Sequence, residues 1–185
     1  MRVIAGRAKG TRLKVPPRLT RPSTDRLREA LFSILGSRVD GAEVLDLFAG
    51  SGALGLEALS RGAARATFVE SNWNAGKVIG ENLAKAGFER AGSVVERDVF
   101  DVLATSSQVF DLIFADPPYA SNAPEDLAGK LMANEKLPER LGPEGLVVLE
   151  VETEREAPAA PSWELLDRRK YGSSAILFYA LREGA

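Results

Sequence analysis

Cysteine and histidine are both absent from this chain. The first absence excludes disulfides and thiol nucleophiles. The two together remove the usual ligands of a zinc site, so no metal is expected. Without histidine the chain also lacks the commonest general base at neutral pH. Any chemistry must therefore run on carboxylates, amides, tyrosine and backbone groups. No apolar run approaches the roughly 20 residues of a membrane span, and no apolar stretch follows Arg2 as a signal peptide requires. A cytoplasmic location, with no membrane partner, is the expectation.

What is present is unevenly charged. The formal net charge of −2 hides nine basic residues and one acid in residues 1–28, a net of +8, against −10 for the remainder. A basic arm on an acidic body fits a polyanionic partner held at one end. The 185 residues read as residues 1–20, a basic β-hairpin extension, and residues 21–185, one domain. In the extension, Arg2-Val3-Ile4-Ala5-Gly6 and Thr11-Arg12-Leu13-Lys14-Val15 flank turn glycines, and Pro16 and Pro17 end the second run. Residues 18–23 read as a linker.

A helix opens at Thr24 or Asp25, with Leu27, Ala30, Leu31, Ile34 and Leu35 on its buried face and Gly36 as its stop. Strands and helices then alternate, which implies an α/β fold with a mostly parallel sheet covered on both faces. The strand candidates are 44–48, 66–70, 93–96, 110–115 and 146–151. Segments 163–169 and 174–179 have no helix between them and predict an antiparallel C-terminal strand pair.

The first strand ends in Asp46-Leu47-Phe48-Ala49-Gly50-Ser51-Gly52-Ala53-Leu54-Gly55. Gly50, Gly52 and Gly55 form G-x-G-x-x-G between a strand and a helix, where a nucleotide approaches the backbone. Glu70 closes the second strand and can accept both ribose hydroxyl hydrogens. Asp46 repels phosphate but suits a ligand with an ammonium or sulfonium group. Asp98 follows the third strand and offers an acceptor for an adenine amine; it also suits a helix cap. Three acids at successive strand ends favour a nucleoside with positive charge and no phosphate, as in S-adenosylmethionine.

The fourth strand ends in Asp116-Pro117-Pro118-Tyr119. Two prolines stiffen this corner and remove two N–H donors, leaving carbonyl and carboxylate acceptors. An exocyclic amine of a base is the matching donor. Hydrogen bonds from that amine to Asp116 and the Pro117 carbonyl would aim its lone pair at a methyl group, and Tyr119 offers a face for the flat base.

These residues together resemble the bacterial small-subunit ribosomal RNA guanine-N2 methyltransferases. The resemblance covers Arg2–Gly6, Arg21–Arg26 with Ala30-Leu31-Phe32, Asp46–Gly52, Glu70, Asp98, Asp116–Tyr119 and Lys170-Tyr171-Gly172. It implies a Rossmann-like methyltransferase fold and S-adenosylmethionine as cofactor. It implies 16S rRNA as substrate, with guanine 966 as the target; the basic arm, needing help for specificity, favours a partly assembled small ribosomal subunit. It places Asp46, Phe48, Gly50, Gly52, Gly55, Glu70, Ser71, Asp98, Val99 and Asp116 at the cofactor. Asp116, Pro117 and Tyr119 fall at the base, and Arg2, Arg7, Lys9, Arg12, Lys14 and Arg21 on the RNA. A monomer is the default. The competing readings are a DNA adenine-N6 methyltransferase and a non-catalytic RNA-binding ribosome assembly factor.

Overall fold

A computed structural model describes residues 1–17, 24–119 and 125–183. Short apolar runs with β-branched residues form seven strands. They are β1 (Glu43–Leu47), β2 (Arg65–Val69), β3 (Gly92–Val95), β4 (Phe110–Ala115), β5 (Leu141–Glu152), β6 (Trp163–Tyr171) and β7 (Ser174–Leu181). Among the described residues five α-helices accompany them: α1 (Asp25–Leu35), α2 (Ala53–Ser60), α3 (Trp73–Ala86), α4 (Val99–Thr105) and α5 (Leu127–Met132). The sheet order is β3-β2-β1-β4-β5-β7-β6. Strands joined through helices pair in parallel, whereas β7 is antiparallel to both β5 and β6. A helical crossover returns the chain to the same edge, and a tight turn at Gly172 (φ 60°) reverses it.

Both sheet faces are covered. One core joins the N-terminal segment and α1–α3 through Val3, Leu31, Phe32, Leu56 and Phe68. The other lies under α4 and α5 through Leu103, Ile113, Leu131 and Leu149. Strand order runs outward from β1 in one direction and from β4 in the other, so the two crossovers diverge. That divergence opens a crevice beyond the carboxyl ends of β1 and β4. Leu47 is in register with Ala115, which brings the residues after both strands to one place.

Two expectations change in detail. Helix α1 buries Leu27, Arg28, Leu31, Phe32 and Leu35, while Ile34 is exposed and Ala30 half-buried. The apolar stripe predicts a face rotated from the one buried. Phe32 wins because it stacks edge-on against Phe114 at 5.7 Å, and Arg28 because its guanidinium bonds Asp25 and the Arg2 carbonyl. Arg28 therefore leaves the basic arm and enters the core. The N-terminal segment pairs antiparallel through a single bridge, Arg2 with Arg12, and two full strands do not form. The amides of Val3, Gly10 and Leu13 still bond across the hairpin, while those of Ile4, Ala5, Arg7 and Ala8 turn to α2.

Candidate active site

The loop after β1 is built by backbone conformation. Phe48, Gly50 and Gly52 all have positive φ (58°, 56° and 76°), and Phe48 is the one non-glycine among the described residues to do so. A bulky residue held there costs energy that the surroundings must offset. Two hydrogen bonds fix it: Ala49 N–H donates to Val69 O at 3.0 Å, and Gly52 N–H to Ala49 O at 2.7 Å. Gly52 then caps α2 without a side chain. Asp46 supplies the missing acceptor: its Oδ2 accepts from Gly55 N–H at 2.9 Å, satisfying one of the orphan donors of the first turn. Burial, with a further push from Glu70, raises the Asp46 carboxyl to about 7 despite that bond.

Glu70 and Asp98 are also held by backbone N–H groups. Glu70 accepts from Gly50 at 2.9 Å with one oxygen and from Asn72 at 2.8 Å with the other, which ties the glycine loop to the end of β2. Asp98 caps α4 by accepting from Phe100 N–H at 2.8 Å. Capping and facing the crevice are not exclusive, because an ionised carboxylate has about four acceptor sites. These acids line a cleft of about 920 Å³ together with Phe48, Gly50, Ser71 and Val99.

Asp116, Pro117, Pro118 and Tyr119 form the opposite wall of the same cleft. Withdrawal from water lifts the Asp116 carboxyl well above the ordinary carboxylate range, and the charges of Glu150 and Asp46 add to it. The Tyr119 hydroxyl lies 2.7 Å from Ser174 Oγ and donates to Glu150 Oε1 at 3.3 Å. Burial raises the phenol to about 12, so it stays protonated. The ring is thus pinned by its far end.

Gly52 and Gly55 do not line the cleft. A Cβ on Gly55 would lie 2.3 Å from the Phe68 ring, so Gly55 is required for helix packing on β2. Gly52 supplies the left-handed cap. Their place in the sequence motif reflects the turn, and only Gly50 of the three faces the cavity.

The N-terminal segment is clamped along α2. Glu57, 1% exposed, accepts from Ile4 N–H at 2.7 Å, Ala5 N–H at 3.0 Å and Arg61 Nε at 2.7 Å. Ser60 donates to Ala5 O and accepts from Ala8 N–H. Gly6 packs so closely that a Cβ would sit 1.8 Å from Ser60 O. At the other end, fully buried Asn82 donates to Lys14 O and Ser51 O and accepts from Lys14 N–H. The segment runs from the far end of α2 to the cleft, which Met1, Pro16 and Pro17 help to line.

This anchoring sorts the candidate RNA contacts. Arg7 bonds Leu59 O at 3.2 Å and lies over the Phe88 ring at 5.3 Å, so it packs as well as charges the surface. Lys14 pairs with Glu81 and Arg2 with Asp25. Lys9 and Arg12 are exposed. Arg21 and residues 120–124 lie outside the described residues.

Glu57, Asn82 and Glu150 are the residues that sequence reasoning missed. Each stands inside an apolar-patterned helix or strand, where a single polar residue carries no motif. Among the described residues the cleft's lining holds six carboxylates (Asp46, Glu70, Glu81, Asp98, Asp116 and Glu150) and one cationic side chain, Lys77. A pyrophosphate does not fit such a wall; a nucleoside with an ammonium or sulfonium does, since a cation would restore the ionised forms that burial disfavours. Among the described residues no cluster of acids suits a metal ion, and no helix is long and apolar enough to cross a membrane.

The comparisons follow this geometry. The model of the family described as conserved hypothetical protein 95 matches residues 1–180. The chain belongs to that family. Ribosomal RNA small subunit methyltransferase D of Escherichia coli is 39% identical to it over 184 residues, 97% of this chain and 89% of that protein. The solved structure of the E. coli protein yhhF shares 36% identity with a TM-score of 0.85, covering 98% of each chain. Against the ribosomal protein L11 methylase of Lactobacillus delbrueckii, with 91% of this chain and 84% of that one covered, identity falls to 20% while the TM-score stays at 0.73. That likeness shows the fold alone: a Rossmann-like methyltransferase sheet with an antiparallel C-terminal strand pair.

Proposed function

We propose that this family member transfers a methyl group from S-adenosylmethionine to the exocyclic N2 amine of a guanine in 16S rRNA, within a partly assembled small ribosomal subunit. The observation that carries the reading is the meeting, in one cleft, of the Asp46–Glu70–Asp98 wall and the acceptor-only corner Asp116–Tyr119. The strong kinship to a small-subunit methyltransferase supports RNA as the substrate. The donor-rich amine of guanine is what the corner's chemistry fits; position 966 rests on the resemblance alone.

The residues divide the work. Asp46 and Glu70 would hold the cationic and ribose parts of the cofactor, and Asp98 its adenine. S-adenosylmethionine, when bound, supplies an electrophilic methyl. Asp116 and the Pro117 carbonyl accept hydrogen bonds from the amine, favouring the tetrahedral nitrogen whose lone pair can attack. The gain comes from orientation. Methylation makes the nitrogen acidic, and its proton leaves through the same acceptors. Tyr119, neutral and pinned at its hydroxyl, holds the base against its ring. The target must be single-stranded or flipped to reach this depth.

The test is product analysis. The protein is incubated with labelled S-adenosylmethionine and unmethylated small-subunit particles, naked ribosomal RNA or duplex DNA, with Asp116→Ala in parallel. N2-methylguanosine from RNA, lost in the variant, is expected. Methyladenine from DNA would replace the reading with an adenine-N6 enzyme, and cofactor binding without transfer to any substrate would favour an assembly factor.

A further inference from the structure

Strand β5 places a second carboxylate in the base-facing wall, and the corner motif does not account for it. Leu149 is in register with Ala115, so Glu150 stands beside Asp116 at the same level of the sheet. Glu150 is only 8% exposed, yet it lines the cleft with Asp116, Pro117 and Tyr119. Its Oε1 accepts from the Tyr119 hydroxyl at 3.3 Å, while that hydroxyl's nearer partner is Ser174. Holding Tyr119 is therefore served by Ser174 at 2.7 Å. A carboxylate in this wall has acceptor sites enough for a ligand as well as for Tyr119.

We infer that Glu150 is a specificity-determining residue, whose carboxylate accepts the N1–H of guanine while Asp116 and the Pro117 carbonyl accept its N2 hydrogens. This rests on the guanine-N2 reading above. Guanine alone among the four bases presents two adjacent donors, N1–H and the 2-amine, along one edge. Adenine presents an amine beside a bare N1 acceptor, and cytosine an amine beside N3. Against Glu150, either lone pair would face a carboxylate. Rejection by an unpaired buried acceptor is stronger than rejection by shape. The Asp116 corner grips any aryl amine; the neighbouring strand decides which ring carries it.

The test compares Glu150→Gln with the wild-type protein on reconstituted small-subunit particles. These carry either guanosine or 2-aminopurine riboside at the methylated position. 2-Aminopurine keeps the 2-amine but has N1 as an acceptor, and its missing O6 costs both proteins alike. The wild-type protein is expected to prefer guanosine by about 100-fold in kcat/KM, and Glu150→Gln to shrink that preference by at least about 10-fold, because an amide can donate to N1. Ser174→Ala, which loosens Tyr119, is expected to slow both substrates by the same factor. Cofactor titration of each variant reports that it is folded. If Glu150→Gln slows both substrates equally, Glu150 only supports Tyr119 and the inference falls. If wild-type protein forms no N2-methylguanosine at all, the parent reading falls and takes this one with it.

Discussion

The two walls of the cleft use the same residue type in opposite ways. On the β1–β3 side, Asp46, Glu70 and Asp98 each accept a backbone N–H, from Gly55, Gly50 with Asn72, and Phe100 respectively. Those carboxylates close loops and cap helices as well as lining the cleft. On the β4–β5 side, Pro117 and Pro118 follow Asp116 with no N–H to give, and Glu150 meets a tyrosine hydroxyl. The first wall is organised by folding, and in the proposed function it serves cofactor binding. The second turns Asp116 and Glu150 to the cleft beside a proline pair that donates nothing. Substitutions on the first wall should therefore disturb stability and cofactor together, and those on the second the chemical step and the choice of base.

The largest expected effect is on the second wall. Asp116→Ala should lower the single-turnover rate by roughly 10²–10³-fold, since an interaction made in the transition state is removed. Its cofactor affinity, read by calorimetry, should stay near that of the wild-type protein. A parallel loss of affinity would erase the contrast between the walls.

Next comes Asp46→Asn. Cofactor affinity should fall by roughly 10–100-fold, as for a lost charged partner. The pH dependence separates this from general damage. Burial raises the Asp46 carboxyl from 3.8 to about 7, so folding disfavours its ionised form. The stability tied to its proton is fully present below 3.8 and is lost as pH rises through about 7. Asparagine keeps the acceptor for Gly55 without that penalty. The ligand-free variant should therefore melt higher than wild type above pH 7 and no higher at pH 4. In the wild-type protein, cofactor affinity should climb as pH rises through the same region and flatten in the variant.

Glu57→Ala sharpens the comparison away from the cleft. It strips three donors of a buried acceptor and should cost about 2–4 kcal/mol in urea unfolding. Gly55→Ala should cost about 1–3 kcal/mol by forcing a methyl against Phe68. Affinity should drop only as far as the loop moves; a large loss at unchanged stability would return Gly55 to the ligand. The smallest effect belongs to Lys9→Ala with Arg12→Ala. Melting should be unaltered, and the slope of log affinity for RNA against log salt should shrink by about one to two.

The sequence by itself determined the element order, because hydrophobic period and turn residues act locally. Strand β4 falls where its apolar run predicts, and β1 and β2 within one residue of theirs. It also determined the chemistry available near each strand end, since Glu70, Asp98 and Asp116 follow a strand and Asp46 is the next-to-last residue of β1. Gly50 and Gly55 share one motif, and only packing against Phe68 separates their roles. The exposed Ile34 and buried Arg28 show the same limit on α1. A periodic stripe gives a face its width, and the partner surface chooses its centre. Tertiary structure alone decided that Glu57 and Asn82 clamp the N-terminal segment, and that Glu150 joins Asp116. Those meetings depend on sheet order and register, which bring together residues 34 to 68 positions apart. No local pattern encodes them, because each is a polar residue with no motif around it, given meaning only by what the fold sets opposite it.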